Sequence, residues 1–179
     1  GDFAEAQRHY GEAAAEMRRQ GSLHADSVDY FSGATLLLSQ GRLGEHLTAT
    51  RQAREMLGPM IDDLLALALI ESGRADEART IPLGEHSYRP DYVRSVLLTA
   101  RAMAVVALDR RDLAQQLIDD LLPVRDQLAG FCTTNFVARP VALTLGELFR
   151  LLGHTEEATR HFTLAATVAR RWGSPHWLA

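Results

Sequence analysis

The chain has 179 residues, 46% of them hydrophobic, 23% charged and 7% aromatic, with a net charge of −4. Such a length buries one well-formed core or a short array of repeats, and the scarcity of aromatics beside abundant Leu and Ala argues against a β-sandwich. The acidic balance, with no strongly basic face or tail, excludes a nucleic-acid footprint. All 19 basic residues are arginine, which reads as codon bias. The single cysteine, Cys132, excludes an internal disulfide and any cysteine-based zinc site. It fits a reducing, cytoplasmic compartment and is expected as a small buried or half-buried residue. No apolar run reaches membrane-spanning length and no secretory leader is recognisable.

In chain order, the first readable element opens with GDFAEAQRHY at residues 1–10, echoed by GHTEEATRHF at 153–162. Both give Gly, then Glu-Ala, then an aromatic four residues on and Ala three after that: Gly1, Glu5, Ala6, Tyr10 and Ala13, against Gly153, Glu157, Ala158, Phe162 and Ala165. Partial copies start at Gly41 and Gly73, and a degenerate one at Arg111, so five starts fall about 38 residues apart. Before each internal start runs a stretch with apolar residues at three- and four-residue spacing: Tyr30 to Gln40, Ile61 to Ser72, Val93 to Asp109 and Val141 to Leu152. The unit is therefore a helix, a turn at Gly and a second helix. Gly supplies the left-handed residue that ends the first helix, Ala lets the pair approach, and the aromatic fills the space one turn on.

Proline marks the other boundaries. Pro59, Pro90 and Pro175 stand where a helix would begin, with Ser174 a candidate cap for the last. Pro82 occupies the aromatic position of the third unit, which predicts a short second helix and an irregular loop over 81–89. Pro123 should kink or end the fourth unit's second helix. A start without Met and in mid-pattern reads as a fragment of a larger protein.

The glycine, alanine and aromatic positions resemble those of a tetratricopeptide repeat. The last unit fits best, through Leu145-Gly146, Phe149, Gly153, Ala158, Phe162 and Ala165; in the second unit His46 replaces the alanine. From Arg139 to Ala179 the chain resembles the C-terminal helical region of LuxR-type and antibiotic-regulatory bacterial activators with a nucleotide-hydrolysing switch domain. The resemblance implies an all-α, right-handed superhelix of about four and a half antiparallel helix pairs. It also implies a sensor or scaffold role in a transcriptional regulator, bound to a protein or peptide segment or to neighbouring domains of the same chain. No cofactor, membrane contact or direct nucleic-acid contact is implied for this segment. A stand-alone receptor for a signalling peptide and a structural spacer or self-association module remain open alternatives.

No catalytic constellation is legible. A Walker-type phosphate loop is excluded by the absence of lysine, and no Gly-x-Ser-x-Gly elbow occurs. His154 and His161, seven apart with Glu157 between them, could share a helix face but lack a metal-binding motif. His9 and His161, with the arginine before each, are expected at the surface or packed beside their unit's aromatic. Asp62-Asp63 and Asp119-Asp120 diverge on a helix and are expected as surface carboxylates. The doublets Arg18-Arg19, Arg110-Arg111 and Arg170-Arg171 fall near expected helix C-termini, where each cation contributes about 0.3–1 kcal/mol against the dipole. In stacked helix pairs the first helices line the concave face. The candidate binding groove is accordingly Phe31, Thr35, Asp63, Leu67, Arg101, Val105, Glu147 and Arg150.

Overall fold

The computed structural model describes residues 2–91, 93–130 and 137–178, and it is mainly helical. Helix α1 spans Phe3–Arg19, α2 Ala25–Ser39, α3 Leu47–Leu57, α4 Asp62–Glu71, α5 Ala75–Ala78, α6 Arg94–Ala107, α7 Arg111–Leu121, α8 Val141–Leu152 and α9 Thr155–Arg171. Cys132 lies outside the described residues, as does the first turn glycine, Gly1.

Several helices end by the same hydrogen-bonded turn. A residue at positive φ follows the helix, and the next amide reaches back five residues. It joins Arg42 N to Leu37 O at 2.9 Å, Arg74 N to Leu69 O at 2.8 Å and His154 N to Phe149 O at 2.9 Å, across Gly41, Gly73 and Gly153. The fourth turn has the same bond, from Arg110 N to Val105 O at 2.9 Å, but Asp109 takes the left-handed position at φ +53°. Asp tolerates that region better than most side chains. The degenerate fourth start thus keeps the turn and changes only the residue that makes it.

These turns fold neighbouring helices back on each other, and α1 packs on α2, α4 on α5, α6 on α7 and α8 on α9. A close approach marks the last pair. A Cβ added at Gly146 would lie 2.5 Å from the Phe162 ring, so the glycine of α8 makes room for the aromatic of α9. Helix α4 runs through the middle, with every residue from Asp62 to Leu69 buried. The core extends from Tyr30 in α2 to Leu148 in α8 as one apolar cluster.

Proline breaks the pattern at two expected places. Helix α5 stops after four residues, and 79–91 leads toward α6 as an irregular strap containing Pro82. Helix α7 stops at Leu121, where a 3-10 turn over Leu122–Val124 holds Pro123. Two other expectations need correction. Pro90 opens no helix, because the Asp91 carboxylate accepts the Val93 amide at 3.1 Å and α6 begins only at Arg94. Pro175 opens only a 3-10 turn, Pro175–Trp177, and Ser174 does not cap it.

The periodicity gives no sign of a two-stranded antiparallel ribbon between α7 and α8. Strand β1, Leu128–Gly130, pairs with β2, Val137–Pro140, placing Leu128 opposite Pro140 and Ala129 opposite Arg139, with an irregularity before Gly130. β1 packs on α6, and β2 packs on α8, α9 and α2, so the ribbon joins segments more than 100 residues apart. Among the described residues, no helix is long and apolar enough to cross a membrane.

Candidate functional site

The eight candidate groove residues do not form one open surface. Phe31 is half-buried, packed edge-on against Tyr30 with ring centres 5.2 Å apart. Thr35 is buried and its hydroxyl donates to the Phe31 carbonyl at 2.7 Å. Leu67 and Val105 belong to the core. Glu147 is half-buried, accepting from Arg139 Nη2 at 2.8 Å. Arg150 alone of the eight is exposed, with its guanidinium 5.8 Å from the centre of the Phe162 ring.

Asp63 and Arg101 meet, 38 residues apart in sequence, as a buried ion pair. Arg101 Nε donates to Asp63 Oδ2 at 2.8 Å, and the Tyr88 hydroxyl donates to the same oxygen. Arg101 Nη2 donates to the His86 carbonyl at 2.6 Å, and its guanidinium stands 4.6 Å from the centre of the Tyr88 ring. Burial pushes the Asp63 carboxyl upward against the opposing pull of Arg101 and the Tyr88 hydroxyl. Burial, and then the Asp63 charge, push the Tyr88 phenol far above its usual range. The cluster pins the irregular strap onto α4 and α6. Buried ions persist where hydrogen bonds offset their desolvation; here Asp63 Oδ2 accepts two, and Arg101 donates from Nε and Nη2.

Asp62 and Asp63 are therefore not surface carboxylates. Both are buried, and Asp62 accepts from Arg54 Nε at 2.9 Å. The second pair is more open, with Asp119 exposed and Asp120 bonded to Arg94 at 2.7 Å. His161 takes the packed of its two alternatives. It is buried, with Nδ1 2.9 Å from the Glu157 carbonyl and its ring 4.9 Å from that of Phe149, whereas His9 and His154 are exposed. Among the described residues, no group of three or more His, Cys, Asp or Glu residues could hold a metal ion. The doublets Arg18-Arg19 and Arg170-Arg171 do sit in last turns, but Arg110 and Arg111 flank the start of α7. There they pair locally with Asp112 and Asp109 at 2.7 and 3.1 Å.

An open concavity lies elsewhere. A groove of about 520 Å³ runs between α1 and α3 with α2 as its floor. Gln7 and Tyr10 stand on one wall, Gly33 and Leu36 on the floor, and His46 and Met56 on the other wall. A second hollow, bordered by Phe3, Leu37 and Gln40, continues it along α2. Met56 is 66% exposed at the rim.

His46 explains part of this shape. Its ring stacks on Tyr30 with centres 5.7 Å apart and planes 19° apart. A Cβ at Gly33 would come within 3.3 Å of it, so the glycine in the middle of α2 accommodates an imidazole where the repeat pattern has alanine. Burial lowers the His46 pKa, opposed by the charge of Asp29. The departure at His46 was the sequence signal for this region, and its partner Gly33 becomes legible only once the two segments are side by side.

Comparisons of the chain with protein-family models, curated proteins and solved structures find no match in any of the three.

Proposed function

We propose that this chain is a non-catalytic binding segment that holds a protein or peptide through the groove between α1 and α3. We place it in the cytoplasm, as the sensor or scaffold part of a multidomain bacterial transcriptional regulator built on a right-handed superhelix of tetratricopeptide-like pairs. The observation that carries the reading is the groove itself. It is long, follows a helix, offers aromatic and aliphatic contacts at Tyr10, Leu36 and Met56, and has amide donors and acceptors at Gln7 and Gln52. That mixture suits an amphipathic segment, which anchors apolar side chains at helical spacing and keeps a polar face outward. Arg101 and Asp63, engaged with each other and with the strap, have no part in this contact.

The test is site-specific photo-crosslinking in cells, with a photoreactive residue at Met56 and, as control, at Arg170 on α9. One defined protein adduct at Met56, missing at Arg170, is the expected result; no adduct at Met56 rejects the groove. The regulator part is tested separately by sequencing the coding region on both sides. A nucleotide-binding or DNA-binding segment in the same reading frame is expected, and a complete short reading frame rejects it.

A further inference from the structure

A smaller cavity, of about 280 Å³, lies where the end of α2, strand β2, helix α8 and the turn Pro175–Trp177 meet. Leu38, Met103 and Leu143 give it apolar walls. Three other wall residues each carry a buried nitrogen with no hydrogen-bond partner: Arg139 Nε, His176 Nδ1 and Trp177 Nε1. Folded proteins leave few such groups unpaired, and three around one small cavity mark a missing partner.

The chemistry of the three defines that partner. A guanidinium Nε and an indole Nε1 can only donate, and an imidazole Nδ1 donates in one tautomer. The missing group is therefore an acceptor. Arg139 adds a positive charge whose side chain is only 11% exposed, and among the described residues its ion pair, to Glu147, uses Nη2 and leaves Nε over. A carboxylate meets a guanidinium with charge-assisted hydrogen bonds and needs no second cation. With Glu147 already on Arg139, a monoanion leaves this group of charges at −1 and a dianion would leave it at −2, so the singly charged acceptor costs less. The apolar walls then take a short hydrocarbon chain.

We infer that this cavity binds a small aliphatic carboxylic acid in its ionised form. Its carboxylate accepts from Arg139 and Trp177, and its alkyl chain lies against Leu38, Met103 and Leu143. The site is separate from the α1–α3 groove, and it stands whether or not that groove binds a partner.

The test follows the indole N–H resonances of the ¹⁵N-labelled chain during titration with sodium butyrate, using butyramide and inorganic phosphate as comparison ligands. The chain has two tryptophans, and Trp177→Phe assigns the resonance of interest, with exposed Trp172 as internal reference. Butyrate is expected to move the Trp177 signal saturably, while butyramide and phosphate do not. Arg139→Gln should weaken butyrate binding at least tenfold. Trp177→Phe, which keeps an aromatic ring without the N–H donor and leaves the Arg139–Glu147 pair, should weaken it severalfold by calorimetry, so the inference stays testable if the arginine variant fails to fold. No saturable shift, equal binding of butyramide or phosphate, or unchanged affinity in the Trp177→Phe protein would overturn it.

Discussion

At the scale of single residues, the Asp63–Arg101–Tyr88 cluster carries the most consequence. Two charges and a phenol are withdrawn from water and kept there by mutual hydrogen bonds. Removing one charge leaves the other buried and unpaired, so Arg101→Ala should cost about 3–5 kcal/mol in urea denaturation. Replacing the pair together, Asp63→Leu with Arg101→Met, should return most of that loss, because similar apolar volume needs no counter-charge. A double variant no more stable than Arg101→Ala would show that the cluster is held by something other than charge pairing. The sequence placed both residues on first helices of their units. It did not pair them, because 38 residues separate them and Tyr88 arrives from a strap with no periodicity of its own.

Between elements, the fold rests on turns and close approaches. The turn at Asp109 shows that the hydrogen-bond pattern, and not the glycine, is the common feature, since Arg110 N reaches Val105 O as its counterparts do elsewhere. Glycine matters more at Gly146, where the Phe162 ring occupies the space of a side chain. Gly146→Ala forces α8 and α9 apart or twists the ring, at a cost of about 1–3 kcal/mol despite the better helix propensity of alanine. Adding Phe162→Leu should recover part of it. Thermal unfolding of the two variants checks this; a neutral Gly146→Ala would mean that the helices separate freely. The Leu-Gly and aromatic positions were readable in the sequence, and the contact between them gives their spacing a physical cause.

Over the whole molecule, the β1–β2 ribbon changes how the chain holds together. Helix pairs that touch only their neighbours can open one at a time. Here β2 packs on both α8 and α2, and the fully buried Ala138 lines the same cavity as Leu38, about 100 residues earlier in the chain. Ala138→Asp buries an uncompensated carboxylate between them. It should lower hydrogen-exchange protection in α2 as well as in α8, although more than 100 residues separate the two. Protection lost in α8 alone would show that the ribbon belongs only to its local hairpin.

What the sequence determined by itself is local: helices where apolar residues recur at three and four, turns where glycine follows them, and interruptions at Pro82 and Pro123. Each depends on residues within a few positions of one another, where backbone geometry and hydrogen bonding act without long-range help. Tertiary structure decided which of those residues could meet a ligand. It closed Asp63 and Arg101 into the interior, buried His161 against Phe149, and opened a groove where Gly33 makes space for His46. It also surrounded a small cavity with three unpartnered nitrogens from β2 and the turn after α9. Burial and pairing depend on which helices become neighbours, and periodicity within one helix carries no record of that.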